Sequence, residues 1–252
     1  MRTTRKIATA TFGAAAMLAL AAGPAFADGS VNANLKPVPG SEVNGSGTAM
    51  VSVTGDTITV TMAAMRLLPD NPHAAHIHFG AEARHECPVI GDDANKDGHL
   101  NTTEGGPAYG PIVVSLTKTG DTSAASGLAV DRFDTAQGGK ISYERGSIQV
   151  APEVADAISK GQSVVVIHGV DHDHDGKYSG DTKSDLDPSL PTEATDPALC
   201  GALRAAPTGG MATGDGGAAG GSNAALIAVG ATALLGAAGT GIVAARRRRV
   251  EA

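Results

Sequence analysis

From Thr57 to Met62 the chain alternates polar and apolar residues without a break, Thr-Ile-Thr-Val-Thr-Met. A period of two puts one set of side chains on one face of a strand, whereas a helix would scatter the same residues around its surface. The apolar run Met50, Val51 and Val53 precedes it across Gly55-Asp56, which predicts a β-hairpin. Further short β-rich runs lie at 74–79, 111–118, 128–133, 140–144 and 163–170, and residues 35–46 read as a Pro/Gly/Ser-rich entry. One stretch, 152–160, reads as a helix, with Pro152 at its start, Glu153 in its first turn and Gly161 just beyond its end. Short strands punctuated by Gly and Pro predict an all-β domain, a β-sandwich or Greek-key barrel.

The two ends read differently. Residues 1–27 have the form of a secretory signal peptide: Arg2, Arg5 and Lys6, then a small-residue apolar run, then Ala25-Phe26-Ala27 before Asp28. Residues 224–245 carry no charge over 22 positions and are followed by Arg246 to Arg249. That length and that flank predict one C-terminal transmembrane helix, with 246–252 as a cytoplasmic basic tail. Residues 201–223 are Gly/Ala-rich and read as a flexible tether, which leaves 28–200 as a single ectodomain. The expected location is therefore the cell membrane, single-pass, with the ectodomain outside.

Charge then narrows the partners. Residues 28–200 hold 24 acidic and 11 basic side chains, a net of −13. Such a surface repels phosphate backbones, so nucleic acid is not an expected partner. The acid is clustered, which points to cations instead. Cys87 and Cys200 are the two cysteines of the chain, and in an exported domain they are expected to pair as a disulfide.

Two acidic loops have calcium-ligand spacing. The first, 93–104, places Asp93, Asn95 and Asp97 at alternate positions, Gly98 at the turn, the carbonyl of His99 next, and Glu104 at the twelfth position. A hard cation of this size takes six to eight oxygens, and that spacing gathers them about one point. Because Cys87-Pro88 precedes this loop and Gly105-Gly106-Pro107 follows it, no helix is expected on either flank. The second, 171–182, repeats the core with Asp171, Asp173, Asp175, Gly176 and the carbonyl of Lys177. Thr182 stands where the closing Glu would be, so Asp181 or Asp185 is expected to complete the shell.

The histidines carry a second chemistry. His76 and His78 fall on the same face of one strand, the spacing that lets both bind one transition-metal ion. His168 ends the run Val164-Val165-Val166-Ile167 and can meet them from a neighbouring strand.

Residues 35–116 resemble a CHRD domain, the module named for chordin. The shared marks are Gly45-Ser46-Gly47-Thr48-Ala49, then Ala75-His76-Ile77-His78-Phe79-Gly80, then Gly110-Pro111-Ile112-Val113-Val114-Ser115-Leu116. That resemblance implies an extracellular, immunoglobulin-like β-sandwich with no agreed activity, and the whole chain looks like a surface protein of a high-GC Gram-positive bacterium. The chain is also similar to copper/zinc superoxide dismutase in its His76-x-His78 strand, Cys87, the Val165-to-His168 strand and Cys200-Gly201. This implies copper at His76, His78 and His168. It departs from that family in lacking a Gly-Pro-His-Phe motif, a visible zinc ligand set and an arginine just before the last cysteine. No Gly-x-Ser-x-Gly nucleophile context occurs either. The residues together favour a calcium-bearing structural or binding module, with an extracellular ligand, over an enzyme; a copper redox protein is the alternative.

Overall fold

A computed structural model describes residues 29–205, whose regular structure is mostly antiparallel strand with a few short helices. The signal peptide, the greater part of the tether, the membrane span and the basic tail expected from the sequence lie outside the described residues. No helix among the described residues is long and apolar enough to cross a membrane.

Strands β1 (Gly29–Pro37), β2 (Ser46–Thr54) and β3 (Thr57–Met65) form a meander in continuous register. Each buries alternate residues: Val31, Ala33 and Leu35; Ala49, Val51 and Val53; Ile58, Val60, Met62 and Ala64. Gly55 turns the expected hairpin with φ of 58°, a conformation that costs glycine nothing. The chain continues through β4 (Pro72–His73), β5 (Ala75–His78), helix α1 (Thr102–Tyr109), β6 (Ile112–Ser115), β7 (Asp134–Thr135), β8 (Lys140–Gln149), helix α2 (Pro152–Ser159), β9 (Val164–His168), β10 (Pro197–Ala202) and β11 (Arg204–Ala205). The main sheet runs β6-β5-β9-β10-β1-β2-β3-β8, with β11 also on β1, so the last long strand returns beside the first. β4 and β7 make a separate two-stranded ladder.

The main core is filled by the inward residues of this sheet, and Val154, Ala155 and Ile158 of α2 join it. β9 differs from the meander in being buried along its whole length. Its Val165 and Ile167 face the main core with Ala75 and Ile77 of β5. Its Val164 and Val166 belong to a second apolar cluster with Val38, Leu100, Tyr109 and Cys200. Because side chains alternate along a strand, His76, His78 and His168 project on the side of Val164 and Val166, not into the main core. Long connections cover that side, and Cys87–Cys200 staples one of them to β10 across 113 positions.

Three local expectations are corrected. The run 128–133 is no strand: Val130–Arg132 is a short 3-10 turn, and the Arg132 guanidinium donates to the Asp121 carbonyl and the Ser126 hydroxyl instead. The entry region is preceded by a full strand, β1, whose Val31-Asn32-Ala33-Asn34-Leu35 alternation is as regular as that of β3. A helix does follow the first acidic loop, despite Pro107 inside it. Asn101 and Glu104 cap it reciprocally, Asn101 Oδ1 accepting from Glu104 N at 3.0 Å and Glu104 Oε2 accepting from Asn101 N at 3.1 Å.

Candidate metal centre

His76 and His78 come from β5 and His168 from the end of β9, which pairs with β5 so that His76 faces Val166 and His78 faces Val164. All three rings are buried, at 3%, 1% and 2% exposure. Each spends one nitrogen on a backbone carbonyl. His76 Nε2–H donates to Gly127 O at 3.0 Å, His78 Nδ1–H to Gly110 O at 2.8 Å, and His168 Nδ1–H to Thr195 O at 2.6 Å. A carbonyl can only accept, so these bonds fix each tautomer and leave a lone pair on the other nitrogen. Those other nitrogens, His76 Nδ1, His78 Nε2 and His168 Nε2, have no partner at all. One ligand atom from each ring lies within 4.8 Å of the others.

The three carbonyls come from three separate connections, the stretch after α1, the turn before Leu128 and the approach to β10. Gly110 can serve because its φ of +84° suits glycine and because a Cβ there would come within 2.7 Å of Gly80 N. Phe133 stands edge-on to His76 with ring centres 5.4 Å apart, and Tyr109 packs on His78 at 4.5 Å. Burial pushes the His78 imidazolium down to about 3 and that of His168 to about 4, and holds His76 well below its ordinary value. All three rings are thus neutral near pH 7, the form that binds a metal ion.

His73 is a contrasting case. Its Nδ1 lies 2.8 Å from His168 O and 3.2 Å from the Tyr178 hydroxyl, and its Nε2 3.1 Å from Leu68 O, so neither nitrogen lacks a partner. His85 bonds Gly80 O and stacks on Phe79, apart from the trio.

The acidic loops are built alike. In the first, Asp93 accepts from Lys96 N and Gly98 N, Asn95 Oδ1 from Asp97 N, and Asp97 Oδ1 from His99 N. The His99 amide holds the Asp97 carboxyl below the usual carboxylate range. Glu104 Oε1 takes the amides of Ala94 and Asn95. In the second, Asp171 accepts from Asp175 N and Gly176 N, and Asp175 Oδ1 from Lys177 N. The Glu104 role passes to Glu193, a residue the sequence reading missed. Glu193 Oε1 takes the amides of His172 and Asp173, its Oε2 that of Ser179, and it is 3% exposed. Asp185, expected as a closing ligand, accepts from Thr103 N at the start of α1. Asp171, Asp173 and Asp175 place one oxygen each within 4.8 Å of one another, and Asp181 does not join them among the described residues. Asp93, Asp97 and Glu104 form no such group there.

The loops meet through His99 and His172, whose ring centres are 4.0 Å apart. His99 Nδ1–H donates to Gly40 O, and His172 Nε2 lies 3.4 Å from Asp196 Oδ2. That carboxylate raises the His172 imidazolium, while burial raises the Asp196 carboxyl.

The chain matches no family model and no curated protein.

Proposed function

We propose that the domain is an exported metal-binding protein whose three-histidine centre holds one transition-metal ion, copper, while its acidic loops take calcium as structural ions. The observation that carries this is the set of three buried lone pairs, each left without a partner by a tautomer that a backbone carbonyl dictates. An unpartnered buried polar atom costs about 1–3 kcal/mol, so three at one place are an unfavourable packing solution unless an ion occupies the space between them. Fixing the distal N–H of a metal-bound imidazole by a carbonyl is also how proteins orient such ligands. Imidazole suits copper and zinc alike, and copper(II) stands highest in affinity among the divalent ions.

The strand order supports a Greek-key reading of the sheet, since β10 returns beside β1 of the β1-β2-β3 meander. It is compatible with the sandwich implied by the resemblances to CHRD domains and to copper/zinc superoxide dismutase. On this reading the protein sits at the cell surface, held by its C-terminal segment. Loop 2, where Asp171, Asp173 and Asp175 gather and Glu193 holds the backbone, is the better-gathered calcium site, and loop 1 closes only when an ion draws Asp93, Asp97 and Glu104 together.

Titration of metal-free protein with Cu²⁺, read by electron paramagnetic resonance, tests the centre. One copper per chain with nitrogen hyperfine structure is expected, and His168→Ala should abolish it. A wild-type protein that takes up no stoichiometric copper, zinc or cobalt would refute the reading.

A further inference from the structure

A cavity of about 330 Å³ opens beside the histidines, and both His76 and His168 line it. Its walls include Ile112, Ala124 and Leu190, and Leu128, Val130 and Leu186 lie along it with more than a third of their surface exposed. No lining residue carries a charge; the polar groups are the two imidazoles and Thr102 and Thr195. The size falls within the range of small-molecule sites, which are apolar with a few placed polar groups.

Resting on the metal-centre reading above, we infer that this cavity is the ligand entrance of the centre and admits a small, uncharged, ring-sized organic molecule in preference to an anion. Two observations set the preference. An anion entering the cavity would lose its hydration with no cation among the lining residues to replace it. It would also approach a domain with a net charge of −13 over 28–200, whose field repels it. An uncharged ring meets neither penalty and covers the apolar side chains that now face solvent at the mouth. Gly127 lines it without a side chain, where an added Cβ would come within 2.8 Å of Ile112 Cδ1.

The test uses the full chain and two probes of like size, 4-methylphenol and benzoate. Copper stoichiometry is measured first by electron paramagnetic resonance, so failure of the metal centre is seen separately. Binding of each probe is then followed by saturation-transfer NMR on the metal-free protein and by the copper spectrum on the loaded one. The expected result is saturable 4-methylphenol binding at least tenfold tighter than benzoate, with a perturbed copper spectrum. Leu128→Lys, at an exposed position, should shift the ratio towards benzoate by tenfold or more. Equal or tighter benzoate binding, binding of neither probe by a protein that holds its copper, or a ratio unmoved by Leu128→Lys would each overturn the inference. Probe binding to a chain that takes no metal would overturn it too, since the cavity would then be no entrance to a metal centre.

Discussion

Acidifying the metal-free domain is the most searching perturbation of the histidine centre. In the unfolded chain each imidazole titrates near 6.5, whereas burial holds His78 at about 3, His168 at about 4 and His76 well below normal in the folded state. Between these limits the unfolded state binds protons that the folded state refuses, so stability is greatest above pH 6.5 and falls with pH. It stops falling on this account only below about pH 3–4. From pH 7.5 to 5.0 each such histidine removes about 2 kcal/mol, and the trio about 6 kcal/mol if they act independently. His172, raised by Asp196, and Asp196, raised by burial, act in the opposite sense and offset part of the loss, while His73, lowered by burial, adds to it. The carboxyls held low, such as Asp97, add their losses only below the ordinary carboxylate range, outside this window. A net loss of about 4–6 kcal/mol is large against the total stability of a domain. The assay is urea unfolding followed by far-ultraviolet circular dichroism, since the chain has no tryptophan to report. A stability that is flat within 1 kcal/mol between pH 7.5 and 5.0 would mean the rings are solvated or already charged, and the argument for three waiting lone pairs would fail.

Other outcomes follow from the same contacts. Replacing both Cys87 and Cys200 by serine should cost about 4–5 kcal/mol in the chain-entropy account of a loop spanning 113 positions, measured as a lower urea midpoint. Removing calcium with a chelator should lower the melting temperature by about 5 °C or more, and an unchanged calorimetric trace would refute a structural role for the loops. Glu193→Gln should destabilise even the metal-free protein, by about 3 kcal/mol, because one buried carboxylate accepts from three amides; a near-neutral change would refute that role. Gly110→Ala should weaken copper binding by tenfold or more in a spectroscopic titration, because its strained backbone would pull the carbonyl away from His78 Nδ1.

Much of the sheet was legible because alternation reports burial on one face. Thr57 to Met62 and its Gly55 turn appear as read, and α2 starts at Pro152 and ends one residue early. The run 128–133 misled because Leu128 and Val130 line the cavity and Phe133 packs on His76, with no ladder among them. The helix after loop 1 was hidden because the Asn101–Glu104 cap outweighs a proline in so short an element. At the site, residue spacing named all three histidines, but not what distinguishes them from His73: the distinction lies in which backbone carbonyls they meet, and a carbonyl has no letter in the sequence. Glu193 escaped for a related reason. It follows Asp171 by 22 positions and reaches loop 2 only through the fold.

The pairing of β5 with β9 has a consequence for when an ion can be acquired. An extended chain offers only the short His76-x-His78 clamp, and the third donor arrives when a segment about ninety residues downstream docks alongside it. The carbonyls that aim the rings belong to three separate connections, so they too are in place only in the folded domain. On the metal-centre reading, an ion would therefore be taken up only after folding, and a chain exported unfolded would travel empty and gather its cargo at its destination.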